Sequence, residues 1–207
     1  MRKLLIVIID YNMGNLRSVQ KSFERNNCQA IVTNDHKIIM NADKIVLPGV
    51  GSFHDGMSKL SNLGLLDILN EAVIENRKPF LGICLGMQLM ANTSYENSKT
   101  KGLGWIDGEI VKFNFLDNKG LKIPHVGWNN VLYKGNNLLY NGIPNNSDFY
   151  FVHSYHYRLN EDVITGVTEH GYQFVSSISK NNLYGFQFHP EKSQESGLAI
   201  INNFIAL

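Results

Sequence analysis

The sequence predicts an α/β protein in which helices flank a mostly parallel central sheet, with antiparallel strands added in the second half of the chain. In the first half, short apolar runs alternate with segments whose apolar residues recur at helical spacing. Buried strands that alternate with helices are typical of βαβ units and parallel sheets. In the second half, strand-like runs follow one another with turn signals between them, which favours antiparallel pairing.

The strands predicted in the first half are short and apolar. Their sequences are KLLIVIID, QAIVT, DKIVLPG and PFLGIC. Apolar residues at helical spacing predict helices over 15–26 and 65–76, and a further helix over 85–91 that begins directly after the last of these strands.

The strand-like runs of the second half are GEIVKFNF, FYFVHSYHYRL, QFVSSIS and LYGFQFHP. Asparagine pairs at 136–137, 145–146 and 181–182 mark turns. A last helix is predicted to start near Ser193, which can cap its N-terminus, and to bury Leu198, Ile201 and Ile205.

Length and composition limit the possible classes of protein. The 207 residues suffice for one sizeable core, and no linker, long charge run or repeat divides them, so a single domain over 1–207 is expected. The net charge of +1 argues against broad attraction to nucleic acids or membranes. The apolar run from Leu4 to Ile9 is too short for a secretion signal, and no run is long enough for a membrane span. Two cysteines without a CxxC pair indicate a reduced, cytoplasmic setting.

Cys84 lies in the stretch KPFLGICLGMQLM, where a predicted strand turns into a predicted helix. Gly82 and Gly86 give it the spacing of a nucleophile elbow, with cysteine in place of serine. The glycines leave room for a strained turn, which aims the side chain out of the carboxyl end of the sheet. The helix N-terminus favours a thiolate, and the Leu85 N–H can donate to an oxyanion. A small buried cysteine without chemistry is the alternative.

His189 is the histidine best placed in the sequence to serve this cysteine as a base. It ends an apolar strand in YGFQFHPEKS, and Pro190 restricts it to extended backbone. Residues i and i+2 of an extended chain face the same side, so Glu191 is expected beside His189. A carboxylate there can hold the imidazole tautomer and stabilise the imidazolium. A strand-end turn with a solvated glutamate is the alternative, and the cysteine elbow weighs against it.

Two further features have more than one interpretation. His153 and His156 lie in the aromatic run FYFVHSYHY, where packing and substrate contact are both open. The loop LPGVGSF over 47–53 lacks the Lys-Ser/Thr of a P-loop, but its glycines can bring backbone N–H groups to an oxyanion near Cys84; a plain tight turn is the alternative. No histidine pair has metal-ligand spacing with cysteine or carboxylate support, so no metal site is predicted.

The motifs GICLGMQ, FHPE and PGVGSF together resemble those of the class I (triad) glutamine amidotransferases, over nearly the whole chain. The resemblance implies the flavodoxin-like fold of that family and hydrolysis of L-glutamine through a cysteine thioester, without a cofactor. By motif, Cys84 is implied as nucleophile, His189 as acid and base, and Glu191 as the group that orients His189. The residues implied in binding the oxyanion and the glutamine are Gly51, Leu85, Gln88, Ser154 and Tyr155.

The stretches DYNMGNLRSV, PHVGWN and YFVHSY are similar to one subfamily, the glutaminase subunit of imidazole glycerol phosphate synthase in histidine biosynthesis. Val126 stands where methionine is usual, and Asn12 stands where glycine is common, although asparagine tolerates left-handed backbone. The subfamily implies a heterodimer with a separate (β/α)₈ cyclase, because such a barrel alone needs roughly 250 residues. That cyclase makes imidazole glycerol phosphate and an aminoimidazole carboxamide ribonucleotide. The residues that match interface positions are Asn15, Ser18, Trp128 and Lys192.

Three alternatives stay open at this point. A class I subunit for anthranilate, aminobenzoate or pyridoxal phosphate synthesis could share GICLGMQ, but PHVGWN matches those subfamilies poorly. A different cysteine hydrolase or peptidase could share the elbow without a distant His-Pro-Glu. A binding module without activity could share the scaffold, but it would not need Cys84, His189 and Glu191 together.

Overall fold

The computed structural model describes residues 3–26, 28–115, 120–135 and 137–207. The strands, in chain order, are β1 (Leu5–Ile9), β2 (Gln29–Thr33), β3 (Lys44–Gly49), β4 (Phe80–Cys84), β5 (Ala91–Ser94), β6 (Thr100–Lys101), β7 (Ile106–Lys112), β8 (His125–Tyr133), β9 (Ser147–His153), β10 (Tyr155–Leu159), β11 (Ile164–His170), β12 (Tyr172–Lys180) and β13 (Leu183–Phe186). The helices are α1 (Leu16–Glu24), α2 (His36–Asn41), α3 (Phe53–Asn62), α4 (Leu65–Asn70), α5 (Leu85–Gln88) and α6 (Gln194–Ala206).

In the described residues the strands form two sheets. The larger runs in the order β2-β1-β3-β4-β13-β12-β11-β8-β9, and the smaller in the order β10-β7-β5-β6. The strands β1 to β4 pair in parallel, which confirms the parallel sheet predicted for the first half. Successive residues of β1 are buried in two different core clusters, Ile6 and Ile8 in one and Val7 and Ile9 in the other. A strand covered on both faces needs an unbroken apolar run, and the sequence supplies one.

Two of the three helices predicted in the first half are confirmed, one of them with a change in type. The side chain of Asn15 caps α1 by accepting from the Ser18 N–H at 3.3 Å. The helix predicted over 65–76 begins as α4 and continues as a π-helix over Glu71–Glu75. Leu69 and Val73 are buried, whereas Leu66 is only partly buried because Leu65 takes the inward position.

The helix predicted over 85–91 is wrong in length, because α5 is a single turn. The backbone carbonyls that would have continued this helix accept hydrogen bonds from a distant segment instead. The Leu89 oxygen accepts from the Leu103 N–H at 2.8 Å, and the Met90 oxygen accepts from the Trp105 N–H at 2.9 Å. Ala91 consequently starts β5 rather than ending a helix. Periodicity along one segment does not show this long-range pairing.

The second half is antiparallel in most of its pairings, as predicted, with three differences. The run FYFVHSYHYRL divides at Ser154, so that β9 lies in the larger sheet and β10 in the smaller. Strand β13 pairs in parallel with β4 as well as antiparallel with β12. Strands β8 and β11 were not predicted, because polar and glycine positions obscure the apolar alternation in both. Asn146 and Asn181 have left-handed backbone at the predicted turns, and Asn136 lies outside the described residues.

The last helix begins where it was predicted, and of the three residues predicted to be buried on it only Ile201 is fully buried. The buried positions of α6 are Gly197, Ile200, Ile201 and Phe204, while Leu198 and Ile205 are partly buried. Ser193 does not cap the helix through its side chain, because its hydroxyl donates to the His189 carbonyl at 2.6 Å. None of the described helices has the length and apolar character needed to cross a membrane.

Candidate active site

Cys84 occupies the centre of the larger sheet, at the carboxyl end of β4. That strand lies between β3 and β13 and runs parallel to both. Its last residue, Cys84, pairs with Gly49, the last residue of β3. The PGVG loop and the cysteine therefore leave the sheet side by side, at the edge where parallel α/β sheets bind ligands.

The turn at Cys84 is strained, as predicted. Its φ of 53° and ψ of −108° are outside the regions that residues with a side chain prefer. Gly82 and Gly86 are both required, because backbone atoms of other residues lie too close to them to leave room for a side chain. A Cβ on Gly86 would overlap the Leu47 carbonyl oxygen of β3, and a Cβ on Gly82 would lie 2.7 Å from the Gly86 oxygen. The GxCxG spacing is thus explained by packing of Gly86 against β3 and of Gly82 against the backbone at the start of α5.

The predicted help from the helix N-terminus is smaller than expected. Because α5 has only four residues, it contributes the free N–H groups of one turn and little macrodipole. Two hydrogen-bond contacts to the Cys84 sulfur are present instead. The amide Nε2 of Gln187 donates to the Cys84 sulfur at 3.7 Å, and the thiol faces the Val152 carbonyl oxygen at 3.8 Å.

His189 and Glu191 form a buried pair. Nδ1 of His189 lies 2.9 Å from Oε1 of Glu191, and each side chain is 3% exposed. Burial alone would lower the pKa of His189, but the Cys84 sulfur and the Glu191 carboxylate outweigh burial and raise the pKa to about 10. Nε2 of His189 has no hydrogen-bond partner among the described residues. The Glu191 carboxylate therefore orients the ring at Nδ1, the Cys84 sulfur and the carboxylate together favour the imidazolium, and Nε2 is the nitrogen left to exchange a proton with the sulfur.

The pairing of His189 with Glu191 is confirmed, but the reason given for it was wrong. His189 is extended, with φ −101° and ψ 94°, yet Pro190–Lys192 form a 3₁₀ turn rather than a strand. The carboxylate returns to the imidazole across that turn. His189 reaches Cys84 because β13 lies beside β4, with Phe186 paired to Ile83. Its own N–H donates to the Tyr150 carbonyl at 2.9 Å, which fixes the segment after β13.

A cavity of about 430 Å³ opens over Cys84. All five residues implied in binding line it, together with the nucleophile: Gly51, Cys84, Leu85, Gln88, Ser154 and Tyr155. Gly51 has a φ of +109°, which a residue with a side chain rarely adopts, so the loop needs glycine there. The further lining residues are Val50, Glu96, Pro124, Val152, His153 and Lys192. His189 does not line the cavity. It is buried behind the lining residues, on the side of the Cys84 sulfur that faces away from the opening.

Two residues of the site, Glu96 and Gln187, were not predicted from the sequence. Glu96 lines the cavity, and its Oε2 accepts from the Phe53 N–H at 2.6 Å. Gln187 is fully buried and touches the nucleophile. A signal for Gln187 was present, since FQFHPE places one amide inside an apolar strand end, two residues before His189. No comparable signal marks Glu96, which lies in a polar loop.

Gln88, predicted to hold the substrate, is buried and already engaged. Its Nε2 donates to the Tyr155 carbonyl at 2.9 Å and to Oε1 of Gln187 at 2.9 Å. The amide nitrogen thus ties α5 to the start of β10 and to the segment that carries His189. Its role toward a substrate stays a prediction.

The histidines of the second half serve the packing of this site. Nδ1 of His125 lies 3.0 Å from Nε2 of His153, and Nδ1 of His153 lies 2.9 Å from the Tyr155 carbonyl oxygen. Burial lowers the pKa of His125 to about 4 and that of His153 to about 3, with neighbouring histidines adding to the effect. Both rings are neutral at pH 7. Within the described residues, no group of three or more His, Cys, Asp or Glu is arranged to hold a metal ion.

The four residues predicted at a partner interface lie near one another in the fold. Trp128 is 48% exposed and packs edge-on against Tyr150, with ring centroids 6.1 Å apart. The amine of Lys192 lies over the same Tyr150 ring, 5.6 Å from its centroid. Asn15 and Ser18 form the cap of α1, and α1 contacts the turn that carries Lys192. Their role at an interface stays a prediction.

Comparison with known proteins agrees with this geometry. Residues 7–207 match the family described as "Glutamine amidotransferase class-I". "Imidazole glycerol phosphate synthase subunit HisH 2" of Methanococcus maripaludis is 50% identical over 203 residues, which cover 97% of this chain and 98% of that protein. The HisH proteins of Methanocaldococcus jannaschii and Campylobacter jejuni (HisH 1) are 48% and 45% identical over 203 residues, in each case 98% of this chain and 100% of the relative.

Solved structures share the fold at lower identity. A putative GMP synthase component from Thermoplasma acidophilum superposes with a TM-score of 0.75 at 20% identity, covering 100% of this chain and 94% of that one. PurLQS from Thermotoga maritima gives a TM-score of 0.76 at 17% identity, covering 99% of each chain. With the elbow cysteine, the His–Glu pair and the match over 7–207, the chain belongs to the class I glutamine amidotransferases.

Proposed function

We propose that this amidotransferase is the glutaminase subunit of imidazole glycerol phosphate synthase and delivers ammonia to a separate cyclase subunit. The observation that carries the chemistry is the buried His189–Glu191 pair held behind an elbow cysteine that opens into a cavity. The full-length likeness to proteins named as HisH subunits, at 45–50% identity, supports the assignment to this synthase.

The geometry supports a two-stage hydrolysis. The Cys84 thiolate attacks the side-chain amide carbon of glutamine, and the carbonyl oxygen becomes an oxyanion facing the Leu85 N–H and the Gly51 loop. The His189 imidazolium gives its proton to the departing nitrogen, so ammonia leaves and a thioester remains. Neutral His189 then takes a proton from water, which attacks the thioester and releases glutamate. Glu191 holds Nδ1 of the ring through both stages, so that Nε2 carries the proton in transit.

The lining of the cavity suggests how glutamine is oriented. Its volume of about 430 Å³ is within the range of small-molecule sites. Glu96 offers a carboxylate to the α-ammonium group of the substrate, and Ser154 and Tyr155 present further polar groups to the cavity. We expect Glu96→Gln to raise KM for glutamine about tenfold with little change in kcat, since the lost interaction binds substrate and transition state alike.

The exposed apolar residues near the cavity support a partner surface. Trp128 and Val126 are 48% and 56% exposed on successive outward positions of β8. Aromatic residues of this kind are enriched at interfaces and are costly to leave in water. Lys192 lies beside this surface and also lines the cavity, so a partner docked here would contact the site that makes ammonia.

The test is ammonia and glutamate release from glutamine by the chain alone, with an imidazole glycerol phosphate cyclase, and with the cyclase plus its ribonucleotide ligand. We expect strong activity only in the full mixture, and none there with Cys84→Ala. Activity that ignores the cyclase but still needs Cys84 would keep the amidotransferase chemistry and reject the assignment to this synthase. Binding to a chorismate-using or pyridoxal phosphate synthase instead would favour another subfamily.

A further inference from the structure

Gln187 is a buried amide that contacts the nucleophile and has no place in the reaction scheme above. Gln187 is 0% exposed. Its amide nitrogen Nε2 lies 3.7 Å from the Cys84 sulfur, a distance at which an N–H can donate a hydrogen bond to sulfur. It stands two residues before His189, on the segment that the pairing of β13 with β4 brings to the nucleophile. The same segment therefore carries both the imidazole and a second donor to this sulfur.

The orientation of the Gln187 amide follows from its neighbours. The Tyr155 carbonyl oxygen can only accept hydrogen bonds, so the group of Gln88 that faces it at 2.9 Å is the NH₂. The same NH₂ donates to Gln187 at 2.9 Å, so the atom of Gln187 on that side is its oxygen. The NH₂ of Gln187 is then directed at the Cys84 sulfur.

The Tyr155 carbonyl that fixes this order is itself held by a second donor. Nδ1 of His153 lies 2.9 Å from it and must donate, which leaves Nε2 of His153 as an acceptor. Nδ1 of His125 donates to that nitrogen at 3.0 Å, and Nε2 of His125 accepts from the Asn129 amide at 3.1 Å. One proton per ring satisfies every contact. A continuous set of hydrogen bonds thus joins β8 to the nucleophile.

We propose that Gln187 is a positioning residue of this site, whose amide donates to the Cys84 sulfur, favours its thiolate form, and is held in that orientation by Gln88 through the Tyr155 carbonyl. The catalytic meaning of this contact rests on the proposed function, whereas the contact itself does not require glutamine.

The physical reason is that a thiolate accepts hydrogen bonds far better than a neutral thiol does. A donor fixed at the sulfur therefore raises the thiolate fraction at a given pH. The one-turn helix α5 supplies little charge stabilisation, so side-chain donors carry more of it here than in sites with a long helix. Replacing the donor by a carboxylate of the same shape reverses the effect, because two negative groups then share one buried site.

The experiment measures the rate of iodoacetamide alkylation of Cys84 across pH in the full chain, by peptide mass spectrometry. Cys28, partly buried and remote from the site, serves as the internal reference. The variants are Gln187→Glu, Gln187→Met and Gln88→Met, and the matched control is Gln173→Glu, an exposed glutamine on β12.

For Gln187→Glu we expect Cys84 alkylation near neutral pH to slow about tenfold, with the half-maximal rate about one pH unit higher. Gln187→Met and Gln88→Met shift the profile the same way by less, while Gln173→Glu and the Cys28 rate stay unchanged. If Gln187→Glu fails to fold, the two methionine variants decide.

An unchanged Cys84 profile in folded Gln187 variants would overturn the inference. So would a parallel change in Cys84 and Cys28 rates, which indicates general loosening of the fold. Alkylation needs neither glutamine nor a cyclase, so the result is separate from the test of the proposed function. Failure to hydrolyse glutamine would reject that function and leave the sulfur contact intact.

Discussion

The cavity has two walls that are held by different means. The elbow wall, formed by Gly51, Cys84 and Leu85, is shaped by backbone that packs against backbone, with no room for a side chain at Gly86. The strand wall, formed by His153, Ser154 and Tyr155, is held by hydrogen bonds between buried polar side chains. Substitutions that add atoms to the elbow wall should therefore lower the stability of the fold. Substitutions in the strand wall should instead change the protonation state and reactivity of the site.

The largest effect is expected at the His189–Glu191 pair, which is buried behind the cavity lining. Glu191→Gln keeps the shape of the side chain but offers Nδ1 no charge, so the imidazolium loses its counter-ion and its fixed tautomer. We expect a fall of about 10²–10⁴-fold in kcat for glutamine hydrolysis by the cyclase complex, with little change in KM. Loss of less than about tenfold would remove Glu191 from the mechanism.

The same substitution has a pH signature in stability. His189 has a raised pKa of about 10 in the folded chain, against about 6.5 when unfolded, so its protonation stabilises the fold fully below pH 6.5. That contribution is lost as pH rises toward 10. The gap in unfolding free energy between wild type and Glu191→Gln, measured in urea, should therefore narrow from about pH 6 to about pH 10. A gap that is constant across this range would contradict the charged pair.

The next largest effect breaks the elbow wall. In Gly86→Ala the new methyl group overlaps the Leu47 carbonyl oxygen, and neither strand can shift without disturbing the sheet. We expect a loss of about 3 kcal/mol or more in unfolding free energy. The matched control is Gly56→Ala in α3, where the new atom meets the flexible ends of Leu89 at 3.2 Å and Leu85 at 3.4 Å, and helix propensity improves. Equal stability of the two variants would show that close approach does not shape the turn.

A smaller, pH-dependent effect marks the strand wall. Because the pKa of His153 is lowered to about 3 in the folded chain, the unfolded chain binds its proton first as pH falls below about 6.5. This contribution to stability is therefore fully present above that pH and is lost progressively as pH falls toward about pH 3. We expect His153→Gln to be less stable at neutral pH and to lose less on acidification, by urea unfolding. Equal acid slopes would contradict a neutral buried His153.

The smallest effect is expected outside both walls. Trp128 is 48% exposed, so Trp128→Ala should change the unfolding free energy of the isolated chain by no more than about 0.5 kcal/mol. Its affinity for the cyclase should fall by about tenfold or more, by isothermal titration calorimetry. Leu138→Ala, also at an exposed apolar position and away from the cavity, is the control and should bind as wild type does. Unchanged affinity of Trp128→Ala would move the interface elsewhere.

How well each wall could be predicted follows from how it is built. Cys84 and its glycines were predicted because an elbow is a local turn with a fixed spacing. The pairing of His189 with Glu191 was predicted on the assumption of extended backbone, whereas the backbone after His189 forms a 3₁₀ turn. Glu96 was missed because only a long-range contact brings it to the site, whereas Gln187 was missed although its place two residues before His189 was a usable signal. The one-turn length of α5 was also missed, since the pairing of 89–91 with 103–106 interrupts it.

The most direct test of the account is to trap the covalent intermediate. Radiolabelled glutamine would be mixed with the chain, cyclase and ribonucleotide ligand, quenched in acid during turnover, and digested for peptide mapping. The account predicts label on the peptide that contains Cys84 and none on the peptide that contains Cys28, with both label and ammonia release lost in Cys84→Ala. Ammonia release that continues in Cys84→Ala, or turnover without label on the Cys84 peptide, would contradict it.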